Sequence, residues 1–195
     1  MMSNNYRLKI RPFFGMLVFI CFTMVACTKS ENHKLQIAAA SNLQYVLKEL
    51  VTVFNEQQNV DCEIILGSSG KLTMQLENAA PFDVFLSANK KYSDYLVTKN
   101  KSAQKPQTFA YGKLVLASIS IPNHEIMETL NSHTLTKIAI PNPKFAPYGE
   151  MGVEFLKNKK LYTKLENKFI YGESVMQTNQ SVSYTHLTLP TTPYV

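Results

Sequence analysis

Residues 35–99 alternate between short apolar runs and amphipathic runs, and this alternation constrains the fold more than any other feature. The predicted elements are strands at 35–39, 62–66 and 84–87, and helices at 42–57, 71–77 and 90–99. Parallel strands need a crossover connection, usually a helix, so this order predicts an α/β protein with a parallel sheet.

Local signals add detail to these elements. Ser41 and Asn89 stand at N-cap positions of the first and third helices, and 67–70 reads as a turn. Asp83 precedes the third strand at its amino end, which predicts a structural turn residue. The residues predicted on the buried face of the first helix are Leu43, Val46, Leu47, Leu50 and Phe54.

After residue 99 the pattern changes to segments interrupted by prolines, which predicts a second α/β lobe. Its predicted elements are strands at 109–118, 137–140 and 169–171, helices at 149–157 and 161–165, and a final helical turn capped by Ser174. We therefore expect lobe one at 35–108, followed by a crossover strand and lobe two at 109–180.

The amino-terminal 26 residues have the pattern of an export signal. A basic start without acidic residues precedes an apolar run at 13–25, which is too short for a stable membrane span. The run ends in Met24-Val25-Ala26-Cys27, which resembles a bacterial lipobox, so we expect cleavage before Cys27 and lipidation of its thiol. Residues 27–34 would then form a polar tether. The alternative is an ordinary signal peptide followed by a cysteine that is there by chance.

The carboxyl-terminal segment 181–195 differs from the Lys-rich stretch before it, because it contains no charged residue and no helical or strand periodicity. It resembles a translated vector sequence, and we expect a non-native tail after a chain truncated near Gln180. A genuine Thr/Pro-rich tail is the alternative.

The charge distribution argues against nucleic-acid binding. Residues 1–26 hold three of the 20 basic residues and none of the 14 acidic ones, so the mature chain would carry a net charge of +3. Both arginines lie in the signal, and the remaining lysines are scattered. A nucleic-acid-binding protein typically clusters Arg and Lys on one face.

Four turns carry the strongest indication of a binding site, because each stands where a predicted strand leads into a helix. They contain Ser41 and Asn42, Ser69, Tyr148, and Val175. Helix N-termini present unpaired N–H groups and a positive dipole end, and such turns gather at the carboxyl ends of strands. The sequence therefore predicts an anion site that needs no Arg or Lys.

Catalytic and metal-binding patterns are weak in comparison. No nucleotide-binding, hydrolase-elbow or zinc-protease motif is present, and the four histidines are scattered. A hydrolase using Ser41 or Ser69 would need a His partner, and none is indicated. We expect neither an enzyme nor a resident metal or cofactor, although a secreted serine hydrolase remains an alternative.

The segments AAASNLQYVLKEL (38–50), GSSGKLTMQLENAAPFDVFLSANKKYSDYL (67–96), PNPKFAPYG (141–149) and GESV (172–175) resemble the periplasmic molybdate-binding proteins of ABC importers in order and spacing. The resemblance covers residues 35–180. It implies the two-lobed α/β fold of type II periplasmic binding proteins, with mixed sheets flanked by helices. A later Tyr-bearing strand of the family has no counterpart here, so the expected fold is incomplete at the C-terminus and lacks one ligand-binding residue.

The resemblance also implies a site and a role. Ser41 and Ser69 would donate hydroxyl and amide hydrogens, Tyr148 and Val175 would donate backbone N–H groups, and Asn42 would add a contact. The implied ligand is molybdate or tungstate, and the implied partner is an ABC permease. We expect a monomer in the periplasm or on the outer face of the envelope, held to the membrane only by a lipid anchor. A receptor for another anion such as sulfate, or a structural lipoprotein without a ligand, is the alternative.

Overall fold

The computed structural model describes residues 34–183. The predicted signal, the lipobox with Cys27, most of the tether and the segment from 184 onward lie outside these residues. None of the helices described is long and apolar enough to cross a membrane. The described residues fall within one compact unit, and the predicted boundaries at 108 and 180 stay predictions.

The first half of the structure is a three-stranded parallel sheet with helices between the strands. The strands are β1 (Leu35–Ala40), β2 (Cys62–Gly67) and β3 (Val84–Leu86), in the order β2-β1-β3. β1 is central, and its Ile37 pairs with Ile64 on one side and Val84 on the other. The helices are α1 (Gln44–Gln58), α2 (Ser69–Glu77) and α3 (Lys90–Thr98). The predicted parallel sheet is confirmed.

The second half is a two-stranded parallel sheet of β4 (Ile138–Pro141) and β5 (Phe169–Gly172). Its helices are α4 (Ile126–Asn131), α5 (Pro147–Asn158), α6 (Tyr162–Leu165) and α7 (Val175–Ser183). The short helix α4 is not predicted by the sequence patterns. α7 continues through residues 181–183, past the expected boundary at 180. All strand pairs within residues 34–183 are parallel, so the mixed sheets implied by the resemblance are not seen there.

The strand predicted at 109–118 is wrong. This segment has no regular secondary structure, and its apolar side chains are open to solvent, with Tyr111 91% and Val115 77% exposed. A strand is stable only when its backbone groups pair with a neighbour. No strand within residues 34–183 pairs with residues 109–118, so this segment does not form a strand although its composition favours one.

Each half has its own apolar core. In the first half Ile37, Ala39 and Leu47 are buried together, and in the second half Leu130, Leu156, Leu161 and Leu165 are buried together. The predicted buried face of α1 is partly wrong, because Val46, Leu50 and Phe54 are exposed.

The inward stripe of α1 is instead Leu43, Leu47 and Val51. Both stripes follow helical spacing, and periodicity alone cannot choose between two overlapping apolar faces. Val51 is only partly buried against this cluster, and Leu72 of α2 and Leu96 of α3 add further buried side chains to the first half.

Asp83 has the structural role predicted for it. Its carboxylate accepts a hydrogen bond from the Gln36 amide at 2.8 Å, and its own amide donates to the Gln36 carbonyl at 2.9 Å. These bonds join the amino ends of β1 and β3. The carboxyl ends of the strands are therefore left to the turns that carry the candidate ligand-binding residues.

Candidate ligand-binding site

The turn after β1 is tied to the turn after β2. Ser41 is buried, and its hydroxyl donates to the Gly67 carbonyl at 3.1 Å. The predicted N-cap role of Ser41 is wrong, because the chain leaves β1 through a 3-10 turn (Ser41–Leu43) whose cap is Ala40. The Ser41 side chain therefore orders the neighbouring loop instead of closing its own helix.

The turn after β2 places Ser69 in the first turn of α2. The helix begins two residues earlier than predicted, with Ser68 as its N-cap. Ser69 is wholly buried, and its hydroxyl oxygen accepts a hydrogen bond from the Ala88 amide at 3.0 Å. A hydroxyl that accepts one bond still has a proton to donate. This bond fixes Ser69 against the end of β3 and keeps its proton available.

Sequence reasoning missed Ser68. This residue is 4% exposed, and its hydroxyl has no hydrogen-bond partner among the described residues. Buried hydroxyls without a partner are uncommon in native proteins. The pair Ser68-Ser69 at the end of a strand was a signal for more than one hydroxyl at this turn, but only Ser69 was singled out.

The second half contributes two helix N-termini. Tyr148 is the second residue of α5, and Val175 is the first residue of α7. The backbone N–H groups in the first turn of a helix have no acceptor within that helix. The predicted capping by Ser174 is confirmed, since its hydroxyl accepts from the Gln177 amide at 3.3 Å.

Gly149 allows α5 to begin directly against the end of β4. A Cβ atom at this position would lie 2.0 Å from the Pro141 carbonyl oxygen, which real structures do not allow. The Tyr148 phenol in turn lies against residue 112, where a Cβ would be 2.1 Å from its oxygen. Residue 112 therefore contacts Tyr148, although the segment 109–118 forms no strand.

Four of the five predicted ligand-binding residues line one cavity of about 1030 Å³: Ser41, Asn42, Tyr148 and Val175. Ser69 is not among the lining residues, because its side chain is buried against Ala88. The charged residues of the lining are Glu125 and Lys137. No group of three His, Cys, Asp or Glu within residues 34–183 could hold a metal ion. The cavity can bind a ligand mainly through hydroxyls and helix N-termini.

Residues that follow strands of both sheets line one cavity, an arrangement typical of an α/β binding protein. Residues 35–186 match the family described as bacterial extracellular solute-binding protein, and the chain belongs to this family. The matched range extends into the segment that we expect to be non-native.

The sequence is also similar to individual curated proteins. The chain is 32% identical over 141 residues to the molybdate-binding protein ModA of Rhodobacter capsulatus, covering 72% of this chain and 56% of the relative. It is 29% identical to ModA of Azotobacter vinelandii, covering 82% of this chain and 64% of the relative. It is 30% identical to the putative ABC transporter substrate-binding lipoprotein YvgL of Bacillus subtilis, covering 83% and 64%. The chain thus spans less than two thirds of the length of these relatives.

A solved structure confirms the predicted fold class. The periplasmic molybdate-binding protein of Azotobacter vinelandii superimposes with a TM-score of 0.69 and 29% identity, covering 77% of this chain and 67% of that chain. The resemblance inferred from the motifs is confirmed by this match and by the sequence relatives.

Proposed function

We propose that this chain captures molybdate or tungstate outside the cytoplasm and delivers it to an ABC permease. One observation carries the proposal: Ser41 and Asn42 from the first half, and Tyr148 and Val175 from the second, line the same cavity. The names of two relatives support the choice of molybdate as the ligand.

The chemistry of these turns suits a fully deprotonated dianion. Molybdate and tungstate have only acceptor oxygens, and hydroxyls and helix N-terminal amides supply donors. Hydrogen phosphate also carries a proton and would need a carboxylate acceptor. Two carboxylates come into question, and both have other contacts. Glu125, which lines the cavity, has its Oε1 3.2 Å from His124 Nε2, and Glu173, next to Ser174, pairs with Lys71 at 2.7 Å.

Sulfate has the same charge pattern, so it must be excluded by size. Its shorter bonds leave some donors of a wider pocket too far away, and each unsatisfied donor in a closed site costs about 1–3 kcal/mol. Two such losses give discrimination of roughly thirtyfold or more. Molybdate and tungstate are nearly equal in size, and the proposal includes both.

We assign the residue roles as the resemblance implies them. Ser41 and Ser69 donate hydroxyl and amide hydrogens, Tyr148 and Val175 donate backbone N–H groups, and Asn42 adds a contact. The Ser41 hydroxyl has one proton, which goes to the Gly67 carbonyl in this structure, so binding requires this hydroxyl to turn from Gly67 to the ligand. Ser69 has the Ala88 amide as its hydrogen-bond partner. Binding therefore accounts for this serine better than the alternative of a serine hydrolase, which would pair it with a histidine.

The proposal includes export and anchoring. The lipobox-like sequence before Cys27 and the word lipoprotein in the name of the Bacillus subtilis relative support a lipid anchor on the outer face of the envelope. The word transporter in that name supports an ABC permease as partner. We expect the protein to act as a monomer without a cofactor.

A double substitution tests the assignment. Ser41→Ala with Ser69→Ala removes both hydroxyls of the first half, and calorimetric titration with molybdate should show affinity lost by at least a hundredfold, at about 1.5 kcal/mol for each hydrogen bond to a charged group. The control is Ser102→Ala, an exposed serine bonded only to the Gln104 carbonyl. Unchanged affinity in the double variant would contradict the site.

A further inference from the structure

Two ion pairs join the first half of the structure to the second. Lys71 Nζ lies 2.7 Å from Glu173 Oε2, and the Lys91 ammonium pairs with the Glu150 carboxylate. In both pairs the basic residue belongs to the first half and the acidic residue to the second. The charges are thus complementary between the halves.

The Lys71–Glu173 pair lies beside the proposed ligand-binding residues. Lys71 is two positions after Ser69 in the first turn of α2, and Glu173 is two positions before Val175. The pair therefore joins a turn of the first half directly to a turn of the second.

A backbone hydrogen bond supports the same contact. The Gly70 amide donates to the Phe145 carbonyl at 2.8 Å, so the first turn of α2 meets the segment that leads into α5. A Cβ atom at residue 70 would lie 2.9 Å from the Phe145 oxygen, and only glycine permits this approach. The Lys71 ammonium also lies 5.8 Å from the centre of the Phe145 ring.

We propose that Lys71 with Glu173, assisted by Lys91 with Glu150, clamps the two halves of the oxyanion site together. These four are positioning residues: they set affinity by holding the donors of both halves around the ligand. The inference rests on the proposed function. Since the apparent dissociation constant rises as the fraction of binding-competent protein falls, weakening the clamp weakens binding.

The effects of mutations distinguish the clamp from a direct attraction or repulsion between these charges and the ligand. An anion near both residues would be attracted by Lys71 and repelled by Glu173. Removing Glu173 would then tighten binding, and removing Lys71 would weaken it. The clamp instead predicts that either change weakens binding, because each one breaks the same contact.

Charge reversal gives the sharpest experiment. Molybdate affinity is measured by calorimetry for Lys71→Glu, Glu173→Lys and the double swap, at about 0.01 M and about 1 M salt, where the screening length falls from roughly 30 Å to 3 Å. We expect each single reversal to weaken binding about three- to tenfold at low salt, since an attraction becomes a repulsion. The swap should return affinity to within about twofold of the original, and high salt should reduce all these differences.

A matched control lies on α3. Lys90 and Asp94 form an exposed ion pair at 2.9 Å within one helix of the first half. Lys90→Glu, Asp94→Lys and their swap change the same charges without touching the contact between halves, and affinity should stay constant. Tighter binding by Glu173→Lys, or a swap that fails to restore affinity, would overturn the clamp.

A measurement without ligand keeps the two proposals apart. Small-angle X-ray scattering of the ligand-free chain should give a larger radius of gyration for each single reversal of Lys71 and Glu173, and the original value for the swap. Failure of molybdate to bind the unmodified chain would contradict the proposed function, while the scattering result would still test the clamp. Equal radii in all variants would overturn it.

Discussion

The Ser41 hydroxyl donates to the Gly67 carbonyl at 3.1 Å, which joins the turns at the ends of two neighbouring parallel strands. β1 and β2 pair in register up to Ala40 and Gly67, so this bond continues the sheet contact by one side chain beyond the last strand pair. The same bond brings the N-terminus of α2 close to Ser41. It is the interaction that arranges the first half of the candidate site.

Ser41→Ala should therefore lower both stability and affinity. Loss of one intramolecular hydrogen bond costs about 0.5–1.5 kcal/mol, and the Gly67 carbonyl is left without its serine donor. Urea unfolding measures the first effect and molybdate titration the second. A variant with native stability and native affinity would show that the Ser41–Gly67 bond contributes neither to stability nor to the geometry of the site.

In the absence of ligand, Ser68→Ala should not lower the stability of the protein, in contrast to Ser41→Ala. The Ser68 hydroxyl is buried without a partner, and a polar group in that state costs roughly 1–3 kcal/mol. Its removal should leave the unfolding free energy unchanged or raise it, as measured in urea. Ser69→Ala serves as the comparison, because that hydroxyl accepts from Ala88 and its loss should destabilise. A large destabilisation by Ser68→Ala would contradict the assignment of an unpartnered hydroxyl.

Two leucines of α1 test which face of the helix is buried. Leu47 is 4% exposed, whereas Leu50 is 57% exposed. Leu47→Ala should cost about 2–5 kcal/mol, and Leu50→Ala less than about 1 kcal/mol. Equal losses in urea unfolding would favour the face expected from the sequence.

Two glycines of α5 test the contact between its first turn and β4. Gly149→Ala places a Cβ against the backbone oxygen of Pro141, so it should unfold the second half or displace Tyr148 and abolish molybdate binding. In Gly152→Ala the new atom meets the end of the Ile140 side chain at 3.0 Å, which can move. This control should keep its affinity, with stability changed by about 1 kcal/mol or less because alanine favours the helix. A Gly149→Ala variant that binds normally would contradict the geometry of this turn.

Molybdate affinity should be nearly independent of pH between about 6 and 9, because no histidine within residues 34–183 lines the cavity. The hydrogen bond that the Lys91 ammonium donates to the Glu150 carboxylate raises the pKa of Lys91 above its usual value. A raised lysine pKa gives a stabilisation that is complete below the unfolded pKa and is lost only as pH rises through the folded one. Calorimetric titration with molybdate between about pH 6 and 9 checks the expected constancy of affinity, and a step in affinity near pH 6.5 would point to a histidine in the site.

The sequence predicted the first sheet well because its signals are local. The predicted strands differ from β1, β2 and β3 by one residue at one end, and Asn89 caps α3 through a bond to the Lys91 amide as expected. Apolar runs and capping residues act over a few positions, so they can be read without knowing the fold. Tyr148 and Val175 could be placed together because the ends of neighbouring parallel strands meet at one edge of a sheet. That Ser41 and Asn42, which follow a strand of the other sheet, line the same cavity was implied only by the resemblance.

Other features depend on contacts between distant residues. The segment 109–118 has a strand-like composition, but its structure depends on a pairing partner that composition does not reveal. The Lys71–Glu173 pair and the bond from Gly70 to Phe145 join positions far apart in the chain. Local patterns contain no information on such pairs, and the choice of the inward stripe on α1 likewise depended on how β1 packs against it.

Thermal unfolding of the chain with molybdate, with sulfate and without added anion shows whether the cavity binds the larger oxyanion selectively. Ligand at about 100 times its dissociation constant adds roughly 2.7 kcal/mol to the native state, which corresponds to a rise of about 5–10 °C in Tm. We expect this rise with molybdate and none with the same concentration of sulfate. A cooperative transition that molybdate leaves unmoved, or that sulfate raises equally, would contradict it.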